Sequence, residues 1–283
     1  MSLIVLIRGG GDIATGVALR LHRVGLGVVI TELPQPLVVR RMASFAEAVY
    51  RDEYVVEGVT ARRVVELGEA YRTLDEGDIP VMVDPECRTL QQLQSTPHAS
   101  QFTHHVSRFT VLVDGRMTKQ SPELGKEAAS LVVGLGPGFV AGENCHAVVE
   151  TNRGHFMGRV IWRGSAEVDT GIPEGINEHA AERALRAPAE GVLETFVEIG
   201  DHLEPGQSVA EVDGQKVLAP FSGMLRGLLH PGLVVRRGLK IGDLDPRDDP
   251  RYCTLVSDKS LAVGGGVLEA IFSQNQLRTH LWE

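Results

Sequence analysis

The chain has 283 residues, 43% of them hydrophobic and 5% aromatic, with a formal net charge of −9. That length suits one large or two modest domains with a packed core. The acidic balance and scarce aromatics argue against nucleic-acid binding, which draws on cations and stacking platforms. No apolar run reaches the length of a membrane span, and the N-terminus does not read as a signal peptide, since no basic region precedes its apolar run and Arg8 interrupts that run. Cys87, Cys145 and Cys253 are far apart and odd in number, so neither a disulfide framework nor a Cys-x-x-Cys site follows. The expected location is cytoplasmic.

The first elements in the chain form one unit. Leu3–Ile7 is an apolar run, Gly9-Gly10-Gly11 breaks it, Asp12–Leu21 has helical spacing, and Gly27–Ile30 is a second apolar run ending at Thr31-Glu32. Strand, glycine turn, helix, strand and acid is the order of a dinucleotide-binding βαβ unit. Gly9-x-Gly11-x-x-Ala14 fits the fingerprint, and Glu32 lies 21 residues after Gly11. Gly9, Gly10 and Gly11 let the backbone approach a pyrophosphate. Free N–H groups at Asp12 to Thr15 face its charge, and Glu32 offers a carboxylate to a ribose diol. The competing reading is a tight strand-to-helix turn without ligand. A P-loop is disfavoured, because Val17-Ala18 stand where Lys and Ser or Thr belong.

Further strands are predicted at Ile79–Val83, Phe109–Val113 and Leu131–Val133, with helical patterns at Ala43–Tyr50 and Ala61–Gly68. This alternation predicts a mostly parallel sheet covered by helices. Arg40-Arg41 either meet a phosphate or form a solvated helix start. His104-His105, as neighbours on a strand, would face opposite ways and form no site alone. A second glycine loop, Gly134 to Phe139 with Gly136 and Gly138, follows a strand. The run Ala147–Val149 then delivers Glu150, Asn152, Arg153 and His155 past its end, where open α/β sheets bind ligands. A loop held by capping bonds is the alternative. Cys145, His146 and His155 match no standard zinc spacing, so no metal site is assigned.

From Ala187 to Asp245 the chain repeats itself at an offset of 32 residues. Ala187-Pro188 matches Ala219-Pro220, Leu193 matches Leu225, Gly200 matches Gly232, Gly206 matches Gly238, and Asp213 matches Asp245. Two half-barrels sharing one core explain this. The pattern resembles a biotinyl/lipoyl-type hammerhead. Asp213-Gly214 is the turn signal, which puts Lys216 on the returning strand rather than at the hairpin tip where carrier lysines sit. Lys216 therefore reads as an ordinary strand residue. Beyond the repeat, Gly264-Gly265-Gly266 either opens a helix as an anion site or permits close helix packing. Just before it, Lys259 would add a positive charge to such an anion site, and Asp258 is a candidate contact to a sugar hydroxyl or a metal-bound water. The predicted fold class is α/β: a Rossmann-like parallel sheet with an appended β-rich hammerhead-like domain. The expected segments are 1–135 (nucleotide-binding), 136–186 (connecting, with the second glycine loop), 187–245 (hammerhead-like repeat) and 246–283 (a return onto the α/β body).

Nine stretches resemble the selenium-dependent molybdenum hydroxylase system accessory proteins: Arg8–Gly16, Arg41–Ala48, Val83–Pro85, Gly134–Phe139, Val148–His155, Arg186–Pro188, Gly238–Ile241, Asp245–Arg247 and Ser257–Lys259. One departure is Thr118–Ser121, where the pattern carries an asparagine soon after the lysine. The resemblance implies maturation or loading of a molybdenum hydroxylase, with that enzyme or its maturation machinery as partner. It admits the molybdenum cofactor as a ligand and a homo-oligomer as the assembly. From the residues themselves the expected cofactor is a nucleotide or dinucleotide, and no catalytic residue is assigned. An NAD(P)-dependent oxidoreductase would share the nucleotide site, but no Tyr-x-x-x-Lys pair supplies its proton donor.

Overall fold

Continuous β-branched apolar runs make strands buried on both faces, and Ile4–Arg8 (β1) is one of them. The computed structural model describes residues 3–95, 110–168 and 181–275. The chain divides into two units. The first comprises Met1–Pro36, Phe45–Asp169 and Val256–Glu283; the second comprises Leu37–Ser44 and Thr170–Leu255.

In the first unit β1 is followed by α1 (Asp12–Arg23), β2 (Gly27–Glu32), a short α2 (Ala48–Arg51), β3 (Glu53–Val56), β4 (Val59–Val64), α3 (Leu67–Asp75), β5 (Ile79–Val83), α4 (Thr89–Ser95), β6 (Val111–Asp114), β7 (Leu131–Leu135), β8 (Val140–Ala141), β9 (Ala147–Val149), β10 (Val160–Ile161) and β11 (Gly164–Ser165). A late helix, α6 (Asp258–Phe272), returns to this unit. Nine strands form one sheet in the order β10-β9-β7-β6-β1-β2-β5-β4-β3. From β9 to β4 every neighbouring pair is parallel, and the edge strands β10 and β3 are antiparallel. The sheet winds outward in both directions from β1, so β1 and β6 flank a topological switch point, where such sheets bind ligands beyond their carboxyl ends.

Two predicted helices, Ala61–Gly68 and Ala43–Tyr50, change here. Ala61–Gly68 has apolar residues at helical spacing, yet its first half is strand β4. Val56-Glu57-Gly58-Val59 closes a hairpin whose turn residues both take positive φ, 48° and 80°, and β5 pairs β4 on its other side. Of the two readings of Gly264–Gly266, close packing inside a helix is the one that holds. These glycines lie inside α6, whose cap is Ser257, its Oγ accepting from the Ser260 N–H at 3.1 Å. Gly264 and Gly266 serve close packing: a Cβ on Gly264 would lie 2.8 Å from the Gly16 carbonyl, and one on Gly266 would overlap the Gly158 carbonyl. The Ala43–Tyr50 pattern forms single 3-10 turns and α2 rather than one helix. His104-His105 and Phe109 lie outside the described residues.

The second unit carries β12 (Ala184–Arg186), β13 (Gly191–Thr195), β14 (His202–Leu203), β15 (Ser208–Val212), β16 (Gln215–Leu218), β17 (Gly223–Leu228), β18 (Val234–Val235), β19 (Lys240–Asp245) and α5 (Arg251–Thr254). Its strands form two four-stranded antiparallel sheets, β12-β19-β17-β14 and β16-β15-β13-β18. The 32-residue offset governs the pairing. Gly191 opposes Val235 as Gly223 opposes Leu203, and Leu193 opposes Val212 as Leu225 opposes Leu244. The Gly200 N–H donates to the Leu225 carbonyl as the Gly232 N–H donates to that of Leu193. Each half lends a strand to the other's sheet, so neither buries a core alone. Asp213 and Gly214 form the turn, and Lys216 stands on β16 opposite Glu211. Arg40 and Arg41, weighed above as phosphate contacts, donate to carbonyls of their own unit: Tyr252 and Leu255 for Arg40, Leu228 for Arg41.

A buried charge network crosses β17 and β19. Asp243 accepts from Arg226 and Lys240, each at 2.7 Å, and Asp245 from Arg247 at 2.8 and 2.9 Å, with Arg183 near both acids. Burial alone raises the Asp243 carboxyl, but Lys240, Arg226 and Arg183 hold it well below the ordinary carboxylate range. A carboxyl depressed in the folded state adds stability above its unfolded pKa of about 3.9 and loses it as pH falls toward the folded value. The melting temperature is therefore expected to hold from neutrality to about pH 4 and to fall below it. Asp243→Asn should flatten part of that acid limb and lower the neutral melting point by a few degrees. Thermal melts across pH check this; a wild-type melt for the variant at pH 7 would show that the network adds nothing.

Candidate functional site

The turn after β1 is held by its own backbone. Gly9 has φ 93°, a conformation that favours glycine, and Arg116 lies where its side chain would be, 3.2 Å from a built Cβ. The Gly10 N–H donates to Glu32 Oε1 at 2.6 Å, and the Leu33 N–H to Oε2 at 2.7 Å. The Gly10 carbonyl accepts from Thr15 Oγ1 at 3.0 Å and from the Ala46 N–H at 2.9 Å. Thr15 Oγ1 in turn accepts from the Phe45 N–H at 2.9 Å. The Gly10 peptide is thus engaged on both sides, and Glu32 and Thr15 brace it. Glu32 is 8% exposed, and each of its oxygens already holds a backbone donor. Burial pushes its carboxyl up, and the Gly10 and Leu33 amides pull it back. A ribose diol would have to share those oxygens.

Gly11 caps α1 in extended conformation with no side-chain bond; its carbonyl accepts from the Thr15 N–H at 2.7 Å, so that N–H is not free for a ligand, and no cap side chain accepts from the N–H groups before it. Asp12 stands at the head of that turn. Ala14 is fully buried; a Cβ on Gly115 would lie 2.9 Å from its methyl, so the pair lets α1 close on the end of β6. The second glycine loop is filled by protein. A Cβ on Gly136 would overlap Thr151 Oγ1, and one on Gly138 the Gln120 carbonyl.

Past β9, Glu150 is buried and accepts from the Asn152 and Glu167 N–H groups, each at 2.7 Å. Asn152 Nδ2 donates to Glu167 at 2.6 Å. Arg153 clamps Asp258 with both terminal nitrogens, one at 2.7 Å, and ties this loop to the start of α6. His155 is exposed and sets its ring edge-on against Phe156.

Lys259, one residue beyond Asp258, makes no hydrogen bond or ion pair among the described residues. Burial lowers its amine below the ordinary lysine range; the Asp12 charge pulls it up, Arg153 and Lys119 push it down, and Glu150 pulls it up. Charges from three distant stretches, at Asp12, Lys119 and Glu150–Arg153, therefore act on one half-buried cation. The fold brings Asp12, Glu150, Arg153, Asp258 and Lys259 to one place. It sets Glu32 and Thr15 behind the Gly10 peptide, uses Gly136, Gly138 and Ala14 for packing, and leaves His155 on an exposed turn. Lys119, from the Thr118–Ser121 stretch that departs from the family pattern, joins this cluster. Arg116 and Glu123, near Arg8, were missed; a charge directly after an apolar strand, as in Asp114-Gly115-Arg116, is the signal that points to the first of them.

Among the described residues no three His, Cys, Asp or Glu side chains converge to hold a metal ion, and no helix is long and apolar enough to cross a membrane. The chain matches no protein-family model. Over 268 residues it is 45% identical to a protein of Escherichia coli (strain K12) described as uncharacterized protein YqeB, covering 95% of this chain and 47% of that one. The chain thus spans about half the length of the curated relative it matches. Among solved structures, an ectoine utilization protein from Ruegeria pomeroyi is 18% identical over 30% of this chain and 28% of that one, with a TM-score of 0.21. A succinylglutamate desuccinylase from a Silicibacter species is 11% identical over 86% of this chain and 84% of that one, with a TM-score of 0.24. Scores this low define neither a common fold nor a common chemistry.

Proposed function

We propose that the chain binds the phosphate-bearing end of a nucleotide, or of a nucleotide-bearing cofactor, at the carboxyl edge of its parallel sheet. In this reading β1, α1 and β2 are a Rossmann-like unit, and the protein is an accessory factor in maturing a molybdenum hydroxylase. The supporting observation is Lys259: a half-buried ammonium with no ion pair among the described residues, beside an α1 first turn whose cap provides no side-chain acceptor. A buried charge is costly without a partner, and an anion is the partner both features accept. The second unit, read as hammerhead-like, docks the partner enzyme or its machinery. If the ligand is the molybdenum cofactor, Lys259 and Arg153 suit its phosphate end, and the metal would supply its own redox chemistry in the enzyme that receives it.

Calorimetric titration with ADP, ATP and NAD tests the site. Wild type is expected to bind one of them, and Gly11→Val to bind it at least tenfold more weakly, because a branched side chain at the cap stands between ligand and backbone. Equal affinities would remove the turn from the site. Deleting the protein in its host should leave the molybdenum hydroxylase polypeptide present but inactive; unchanged activity would remove the pathway.

A further inference from the structure

A second set of charges sits across the Gly9 turn. Along β1 and β6, side chains alternate between faces. Arg8 and Asp114 follow the register of Leu6 and Leu112, which lie in a different apolar layer from Val5, Ile7 and Val113. Arg8 is 6% exposed. Its guanidinium is held from behind by the Pro85 carbonyl at 3.0 Å, and Nη1 donates to Glu123 Oε2 at 2.9 Å. Arg116 is held from behind by Asp114 at 3.0 and 2.7 Å, and Nη2 donates to the same Glu123 oxygen at 2.7 Å. Two guanidiniums, each fixed by another partner, thus converge on one carboxylate oxygen. That carboxylate belongs to a side chain 68% exposed, while the Arg8 side chain is only 7% exposed. The fixed parts are the cations. The part free to leave is the anion.

We propose that Arg8 and Arg116 form a seat for a terminal phosphate, which Glu123 fills until a ligand phosphate takes its place. Paired guanidiniums match a phosphate as they match a carboxylate, and a dianion engages both more strongly. Protonation does not empty the seat at ordinary pH, because Arg116 holds the Glu123 carboxyl down to about 2. Displacement is the route left. Glu123 can turn to solvent, whereas Arg8 needs an acceptor where it lies. The seat goes beyond the Lys259 site and does not depend on which ligand that lysine takes.

The test is calorimetric titration of wild type, Glu123→Gln and Arg116→Gln with ADP, inorganic pyrophosphate, inorganic phosphate and adenosine. Removing the internal competitor raises the fraction of open seats, so Glu123→Gln is expected to bind phosphate-bearing ligands about tenfold more tightly than wild type. Arg116→Gln should bind about tenfold more weakly. Adenosine should distinguish none of the three. A gain seen equally with inorganic phosphate marks a seat for free phosphate, and a gain confined to ADP marks one for a nucleotide's phosphate. A purely structural ion pair would instead lower the melting point of Glu123→Gln without tightening any ligand. Unchanged affinity in Glu123→Gln, with wild type still binding ADP, would overturn the seat and leave the Lys259 reading standing. No binding by any of the proteins would overturn both.

Discussion

Replacing Lys259 with glutamine is expected to weaken nucleotide binding about a hundredfold while leaving the fold intact. A hydrogen bond to a charged group contributes about 1.5–3 kcal/mol, and its upper part corresponds to that factor. Stability should not fall, because burial disfavours the ammonium more than the Asp12 and Glu150 charges favour it. The same environment sets a pH dependence. Only the protonated amine attracts a phosphate, so affinity should decline as pH rises through the lowered Lys259 pKa, before the ordinary lysine value of about 10.4 is reached. Lys259→Arg, which keeps its charge, should hold affinity across that range. Titrations at a series of pH values separate the two. A variant without the ammonium that binds as tightly as wild type would show that Lys259 is only a packed side chain.

The second large effect concerns how α6 is held. Gly265→Ala and Gly266→Ala are neighbouring changes of the same size, and they should move stability in opposite directions. An alanine in a helix gains about 1 kcal/mol over glycine. At Gly265 nothing lies within 4 Å of the new methyl, so that gain stands. At Gly266 the methyl would overlap the Gly158 carbonyl and lie 2.7 Å from Val149 Cγ1. Overpacking of a rigid backbone contact costs about 3 kcal/mol, so Gly266→Ala should destabilise by about 2 kcal/mol net. Urea unfolding of both variants checks the pair. Equal and stabilising effects would mean that α6 does not press on the loop before β10.

Local signals carried the reading of the central elements. The break in apolar pattern at Gly9–Gly11 marks the turn from β1 to α1, and the constant offset in 187–245 marks strand pairs that the structure joins at equivalent positions up to Leu193 and Leu225, where a bulge after Leu225 ends the match. One misreading has a tertiary cause. Ala61–Gly68 has helical spacing, but its conformation is decided by two neighbouring strands. For the glycines of α6 the sequence left a helix opening and close packing both open, and Gly16 against Gly264 and Gly158 against Gly266 decide for packing. The candidate site was legible in parts. Spacing places Glu32 at the Gly9 turn, yet only the fold shows its oxygens on the Gly10 and Leu33 amides. Arg153 and Asp258 are 105 residues apart, and no periodicity announces their pairing. Charges such as Lys119, Arg116 and Glu123 stand in irregular loops, where sequence carries little positional information.

The central claim is that a phosphate-bearing ligand sits beside Lys259. A crystal structure of the protein grown with the tightest-binding nucleotide of the panel tests it most directly. The expected result is phosphate density within hydrogen-bond distance of Lys259 Nζ and facing the first turn of α1. A nucleotide bound elsewhere with Lys259 untouched, or no nucleotide bound at millimolar concentration, would contradict it.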